Sequence, residues 1–468
     1  MLAHLAPSSP IVIVLLFVCM ILVLAFEASN GFHDSSNAVA TVIYTNSLEP
    51  VPAVVWSGVM NLVGVLIGGI SVAFALVRIL PPDVLTPPDG SPAVPMLVSI
   101  FVSALVWNVL TWFFAIPNSS SHCVIGSLIG VAASDAIQKS RNLGQGVDWH
   151  QILTVLKALA VSPVLGFVIA GGLYWILRIV LRRGHLFEPP RDGQKPIWWL
   201  RALLITTCTA VSVSHGTNDG QKSIGLIMLT IIGLLPATYA LNPHATGPMK
   251  RLSEYGAQAV PLIAQFGDDV KAQGLRAAQA LQRAQPDPQR EANELDAHER
   301  VQRNERTTRS QLRGYVYDVI SEMKYVSEQK DVPAAQRKQA ASLLAAMSTP
   351  VEYAPWWVRV LSAVCLGAGT MVGYRRVVRT LGERLGRQRM TPGQGASSEL
   401  VGSLLIGTAG FTGLPVSTTH IITSGIAGTM LASGEGVQGA MLIRIVMTWL
   451  ITLPVTILLS GALFYLLA

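Results

Sequence analysis

Charge is scarce in this chain: Asp, Glu, Lys and Arg make up only 13% of its 468 residues, against about a quarter in soluble proteins. That excludes an ordinary water-soluble globule. Cysteine is nearly absent. Cys19, Cys123, Cys208 and Cys365 all lie in apolar runs without metal-type spacing, which excludes a disulfide framework and reads as small buried hydrophobes. Residues 1–9 hold no Lys or Arg, so the apolar segment that follows lacks the basic start of a signal peptide and reads as a retained span. A His-Glu-x-x-His pattern, the mark of a helix-borne zinc hydrolase, is also missing.

What the chain has instead is apolar sequence, 51% of all residues. Runs near the roughly 20 residues that cross a bilayer include Pro10–Phe26, Val51–Val77, Ala93–Ile116, Ile152–Leu177, Trp356–Val372 and Ala440–Ala468. The formal charge of +7 would suit a nucleic-acid partner, but its distribution argues otherwise. Arg178, Arg182, Arg183, Arg191, Lys195 and Arg201 form one cluster; Arg375, Arg376, Arg379, Arg384, Arg387 and Arg389 form another. Such clusters mark cytoplasmic loops of a multi-pass membrane protein.

Two motifs recur in the same order. Gly31-Phe-His-Asp34, with Asn37 three positions on, matches Gly216-Thr-Asn-Asp219, with Lys222 three positions on. Pro117-Asn-Ser-Ser-Ser-His122 matches Pro415-Val-Ser-Thr-Thr-His420. The spacing from Asp34 to Ser119 is 85 positions and that from Asp219 to Ser417 is 198. The excess of 113 locates an insertion at Asn242–Pro350, which is polar, rich in Ala, Gln, Arg and Glu, and punctuated by Pro286, Pro288 and Pro333. The expected organisation is a first membrane repeat over residues 1–182, a basic cytoplasmic linker over 183–197, the start of a second repeat over 198–241, a soluble helical insert over 242–350 that faces the periplasm, and the rest of the second repeat over 351–468. With both basic clusters cytoplasmic, each repeat crosses an odd number of times, so the repeats are inverted and both termini lie outside. The loop Pro81–Pro95, placed outside, carries no Lys or Arg and agrees; Lys139 and Arg141 in another outside loop do not.

The repeated motifs carry the chemistry. A charge inside a membrane costs about 2.5–3.5 kcal/mol on insertion scales, yet Asp34 and Asp219 each interrupt an apolar segment. Polar neighbours precede both: Glu27, Asn30 and His33 in one copy, Ser212, His215 and Asn218 in the other. Gly31, Gly216 and Gly220 suggest unwound helices whose freed carbonyls and carboxylate hold a cation. Ser119-Ser120-Ser121 and Ser417-Thr418-Thr419 each begin two residues after a proline. Hydroxyls there cap the next helix, and a helix start suits an oxyanion. His122 and His420 close the two hydroxyl triplets and are candidate proton carriers.

These residues strongly resemble the Pit family of inorganic phosphate transporters, in its bacterial low-affinity subgroup. The resemblance covers nearly all of the membrane portion, and the subgroup carries a long insert in the same place. It implies an all-α polytopic fold of two inverted repeats with broken helices and re-entrant helical hairpins. It implies a secondary active symporter, not an enzyme, that imports phosphate across the bacterial inner membrane by alternating access. By motif match, Ser119, Ser120, Ser121, Ser417, Thr418 and Thr419 hold phosphate with Gln221 nearby. Asp34, Asn37, Asp219 and Lys222 form the cation-coupling set, and His122, His420, His33 and His215 are the candidates for a proton relay. The expected partners are inorganic phosphate and the lipid bilayer, with divalent metal ions as co-substrate, room for a homodimer, and no nucleic acid. No tightly bound cofactor is expected; a resident metal is left unassigned. Many sodium-coupled relatives carry an acid in the place of Asn61. Its absence, with Lys222 at the place of Asn37, favours protons over sodium as the transported cation. A sodium-coupled phosphate symporter and a carrier of another oxyanion such as sulfate are the alternatives.

Overall fold

The computed structural model describes residues 10–87, 91–141, 149–181, 184–189, 194–267, 271–283, 298–380, 382 and 385–468. Arg182, Arg183, Arg191, Arg384, Pro286 and Pro288 lie outside these. Helices dominate. The first half comprises α1 (Pro10–Tyr44), α2 (Pro50–Ile67), α3 (Ser71–Val77), α4 (Val94–Phe113), α5 (Ser120–Gln138) and α6 (Trp149–Leu181). The second opens with α7 (Trp198–Leu234). The insert follows, with α8 (Leu252–Phe266), α9 (Lys271–Arg283), α10 (His298–Glu328) and α11 (Ala334–Ser348). The membrane portion then resumes with α12 (Trp356–Met371), a one-turn helix at Arg375–Arg379, α13 (Pro392–Thr412), α14 (Thr418–Ser433) and α15 (Gly439–Leu467). Each half therefore reads as a long helix, a broken helix, a hairpin of two helices and a second long helix. Six helices among the described residues, α1, α2, α4, α5, α6 and α15, have the length and composition to cross a membrane.

The two halves exchange partners. Asn61 on α2 donates to Thr370 on α12 at 2.9 Å, while Arg359, at the other end of α12, donates to the carbonyl of Gly68 at 3.3 Å. The equivalent broken helices thus run antiparallel. α5 runs parallel to α15, tied at one end by Thr452 to Asn118 at 2.7 Å and at the other by Gln138 to the carbonyl of Tyr465 at 3.0 Å. α14 lies along α6 in the same sense, from Ile421 beside Gly166 to Ser433, whose carbonyl accepts from Arg178. The outer faces of α6 and α15 expose Val164, Val168, Trp175, Val180, Ile443, Leu450 and Leu458, a surface that lipid solvates and water does not. α5 and α14 are buried along most of their length, as hairpin arms held inside a bundle are.

The expected unwinding at the two aspartates does not occur. α1 runs helical through Asp34 and α7 through Asp219. The glycines serve close packing instead. A Cβ on Gly31 would fall 2.7 Å from the carbonyl oxygen of Leu366, one on Gly216 would fall 2.2 Å from that of Asn61, and one on Gly220 would fall 2.3 Å from Val65. Small residues at these contacts let two helix backbones touch. The breaks lie elsewhere: at Gly68 and Gly69 between α2 and α3, after α12, and at the two hairpin tips.

The insert carries its own apolar core, built from Leu262, Ile263, Leu281, Val316, Ile320, Met323, Leu343 and Met347 among others. The buried Arg313 guanidinium donates to the carbonyls of Ala240, at 2.6 Å, and Val351, at 2.9 Å. The amide of Asn242 donates to Pro350 at 2.7 Å, so the chain leaves and re-enters the membrane portion at adjacent points. Lys324 and Glu328 of the insert meet Gln151 and His150 at the start of α6, at 2.6 and 3.0 Å. The basic pair at odds with the loop rule is neutralised there. Lys139 meets Asp83 at 2.8 Å and Asp135 at 2.7 Å, and Arg141 pairs with Asp83 as well. Burial pushes the Asp83 carboxyl up, but hydrogen bonds from Arg141 and Lys139 outweigh that and hold it below the usual carboxylate range.

Candidate functional site

Four elements converge where the repeated motifs meet: α1, α7 and the starts of α5 and α14. Proline ends the preceding chain at each hairpin tip. Ser119 and Ser417 then take up nearly the same extended backbone, with φ of −104° and −95°. Each side chain accepts from the backbone N–H three residues on, of His122 and His420, at 3.2 Å. These are N-caps, as the sequence pattern predicts. The tips meet: Ser121 donates to the carbonyl of Val416 at 2.9 Å, and the rings of His122 and His420 lie 4.5 Å apart. His420 also stacks on Trp449 at 3.9 Å, and Nδ1 of His122 sits 2.8 Å from the Ser119 hydroxyl.

The carboxylates face these tips. Asp34 accepts from Ser120 at 3.0 Å and from Thr419, and Asn37 donates to the same Thr419 hydroxyl at 3.2 Å. One hairpin tip from each half is therefore hydrogen-bonded to a single helix face on α1. On α7, Lys222 points inward. Its ammonium is 2.7 Å from Asp219, 2.5 Å from the Ser121 hydroxyl and 3.1 Å from the Val416 carbonyl. His215 completes the group. Its Nδ1 is 2.9 Å from the Asn61 amide oxygen and its Nε2 is 3.4 Å from Asp219 and 3.9 Å from Asp34. All of these groups are buried except His122 and Trp449, which are half-buried.

Two properties decide what this arrangement can do chemically. Asp34, His215 and Asp219 each offer one ligand atom, all within 4.8 Å of one another, a set suited to a small cation. The Thr418 hydroxyl, on the first turn of α14, is buried without a hydrogen-bond partner. A buried hydroxyl left unpaired costs about 1–3 kcal/mol, and an oxyanion at the paired helix starts would relieve it.

Two expected site residues stand apart. Gln221 does not reach the hydroxyl triplets. Its amide oxygen accepts from the N–H of Val72 at 2.9 Å, and its nitrogen donates to the carbonyls of Thr217, at 2.7 Å, and Gly410, at 3.0 Å. Both ends are thus spent holding the break before α3 against α7 and α13. His33 turns to the hairpin helix α4, with Nε2 3.1 Å from the carbonyl of Asn108 and 3.4 Å from the Thr111 hydroxyl. Adjacent helical residues project about 100° apart, so His33 and Gln221 look away from the direction their neighbours Asp34 and Lys222 take.

The sequence reading passed over two further buried polar groups. Asn61 was weighed only for what it is not, yet it links His215 to Thr370. Glu399 on α13 is fully buried, and one carboxylate oxygen accepts from Thr207 at 2.5 Å while the other has no hydrogen-bond partner. The available signal was an acid at the head of an apolar run.

A model of the phosphate transporter family matches residues 30–460. The low-affinity inorganic phosphate transporter PitA of Escherichia coli K12 is 37% identical over 97% of this chain and 96% of its own. PitB of the same organism, also described as a low-affinity inorganic phosphate transporter, is 35% identical over 96% of both chains. A probable low-affinity inorganic phosphate transporter of Bacillus subtilis is 24% identical over 98% of both. Among solved structures, one described as a sodium-dependent phosphate transporter matches with a TM-score of 0.55 over 97% of this chain and 99% of its own, at 18% identity. That likeness bears on the fold alone.

Proposed function

This chain belongs to the phosphate transporter family, and from that premise we propose that it is a proton-coupled symporter that imports inorganic phosphate across the bacterial inner membrane by alternating access. The observation that carries the reading is the meeting of two serine-capped helix starts with one buried ammonium and two buried carboxylates.

Phosphate would sit at the starts of α5 and α14. Their free N–H groups and positive dipole ends attract an oxyanion, and Ser120, Ser121, Thr418 and Thr419 supply neutral donors. Lys222 adds one fixed positive charge. Neutral donors hold phosphate without the tight grip of an arginine cluster, which a carrier that must release its cargo cannot use. Phosphate beside Asp34 and Asp219 is repelled unless positive charge enters with it. A proton does this at one carboxylate, and a divalent cation that arrives with phosphate adds more, with Asp34, His215 and Asp219 as its natural ligands. The two halves, packed antiparallel with exchanged partners, supply the elements that rock about the site. The insert, on the side of Asp83 and Lys139, faces the periplasm in this reading.

The test is uptake of labelled phosphate by proteoliposomes holding the purified protein, with proton and sodium gradients imposed separately and sulfate as competitor. A gradient with the inside alkaline drives uptake without sodium, and sulfate in excess does not compete. Uptake that requires sodium and ignores the pH gradient at fixed membrane potential would overturn proton coupling; strong competition by sulfate would overturn the substrate.

A further inference from the structure

Glu27 is the one carboxylate of α1 besides Asp34, and nothing so far gives it a role. It lies seven residues before Asp34, about 10 Å along the axis at 1.5 Å per residue and within about 20° of the same face. Asn30 and Asp34 continue that face toward the site. Its side chain is 1% exposed, and its Oε1 has no hydrogen-bond partner. The Ser223 hydroxyl lies beside the carboxyl, one turn beyond Asp219 on α7. The titratable groups that face it are Asp219, His215 and Lys222 on α7 and the Cys365 thiol on α12. Among the described residues no Lys or Arg forms an ion pair with it, and the lysine within electrostatic reach is already bonded to Asp219. A carboxylate charge so placed lacks both the solvation and the paired cation that buried charges need.

We propose that Glu27 carries the coupling proton, taking it up from the insert-facing side of the phosphate site. This rests on the proton-symport reading above. The position fits the task in three ways. The carboxyl is close enough to the Asp34, Asp219 and Lys222 group to alter its net charge, yet it bonds to none of these residues. It lies on the insert side of them, because α1 runs along α12 in the same sense: Leu24, one turn earlier on α1, accepts from Cys365 at 3.1 Å, while Gly31, nearer Asp34, packs on Thr370, further along α12 from the insert. Its place in the second repeat, counted from Asp219, is held by Ser212, so the inverted halves do not duplicate it. In the step itself, a hydronium ion gives its proton to Oε1, an O–H bond forms and water is left. The site loses one negative charge and admits phosphate. After the site opens to the opposite side, the O–H bond breaks, the proton passes to water there, and phosphate leaves with it. One proton per cycle passes through Glu27.

Glu27→Gln keeps the shape and removes the exchangeable charge. In proteoliposomes with wild-type protein, a gradient of one pH unit raises phosphate accumulation about tenfold for each proton coupled, since a factor of ten corresponds to about 1.4 kcal/mol. Glu27→Gln loses that dependence on the gradient, while exchange of labelled for unlabelled phosphate, which needs no net proton movement, persists. Glu27→Asp restores gradient-driven uptake with a displaced pH profile. If the wild type accumulates phosphate on the proton gradient and Glu27→Gln does so equally, the assignment of Glu27 falls and proton coupling stands. If the wild type ignores the proton gradient, both fall. Loss of exchange in both variants of correctly inserted protein overturns the assignment by making Glu27 a structural residue.

Discussion

Removing the ammonium of Lys222 is the sharpest test of how the site is held together. The group bonds to Asp219, to Ser121 on the first turn of α5, and to the Val416 carbonyl just before α14. It is therefore both the counter-ion of a buried carboxylate and the pin between α7 and both hairpin tips. Lys222→Gln leaves Asp219 with His215 at 3.4 Å as its nearest titratable partner. Breaking a buried pair from one side costs about 3–5 kcal/mol, whereas replacing both partners by neutral groups is often close to neutral. Lys222→Gln is thus expected to lower the unfolding temperature of the purified protein clearly, and Lys222→Gln with Asp219→Asn is expected to recover most of the loss. Phosphate binding falls with the ammonium too. A unit charge 4 Å from the ammonium gains about 4 kcal/mol at an effective dielectric of 20, so Lys222→Gln weakens phosphate binding by about a hundredfold or more, while the double variant, which also removes a carboxylate that repels phosphate, loses less. Thermal unfolding in detergent with and without phosphate, beside titration calorimetry, reads both quantities. A Lys222→Gln protein as stable as the wild type, or a double variant no more stable than the single one, refutes the pairing argument.

Asp34→Asn and Asp219→Asn are each expected to abolish gradient-driven uptake while leaving the protein inserted, as flux assays beside surface labelling report. Replacing Asn242–Pro350 by a short polar linker is expected to retain uptake, because the chain leaves and returns at hydrogen-bonded neighbours; inserted but inactive protein would make the insert part of the mechanism. Burial pushes the Asp318 carboxyl in the insert up to about 7, the Gln273 hydrogen bond opposing this only in part. The folded state then holds a proton that the unfolded state has lost between the ordinary aspartate pKa and 7, so insert stability falls as pH rises through that window. Asp318→Asn flattens this slope, which thermal melts across pH 4–8 measure.

Order was legible in the sequence, and direction was not. The repeat, the insert and the two caps follow from spacing and from local rules: a proline then hydroxyls predicts an N-cap wherever it occurs. The breaks in the helices were misplaced because a glycine in an apolar helix has two physical readings. It either releases the backbone or admits a neighbour, and the neighbours of Gly31 and Gly216 are Leu366 and Asn61, remote in sequence. Gln221 was placed beside the phosphate hydroxyls because it lies in the repeated motif, while the helix turns it away from the face that Asp219 and Lys222 present. The inward direction of Lys222 does not follow from the motif alone, since a lysine near polar groups either pairs or reaches for an interface. Its pairing with Asp219, three residues back, is local and could have been weighed; the bond to Ser121, on the other half, could not.

The site keeps the two-fold relation of the halves in part and departs from it around Asp219. Asn37 on α1 donates to Thr419 of the second hairpin, and its counterpart Lys222 on α7 donates to Ser121 of the first. These bonds are symmetry mates. Ser120 donates to Asp34, and symmetry would have Thr418 donate to Asp219. It does not: the ammonium of Lys222 bonds to one oxygen of that carboxylate, the other oxygen has no hydrogen-bond partner, and the Thr418 hydroxyl is likewise buried and unpartnered. Of the two middle and two last hydroxyls of the triplets, it alone is free to meet an oxyanion without first breaking a bond. The exchange of amide for ammonium thus sets a positive charge against one carboxylate and not the other, and the last hydroxyls of the triplets part as well: Thr419 donates to Asp34, whereas Ser121 donates to the Val416 carbonyl. A site built of two equal halves would present equal carboxylates to an anion; this one presents a neutralised side with an open hydroxyl, and a charged side, at Asp34, that still needs a cation.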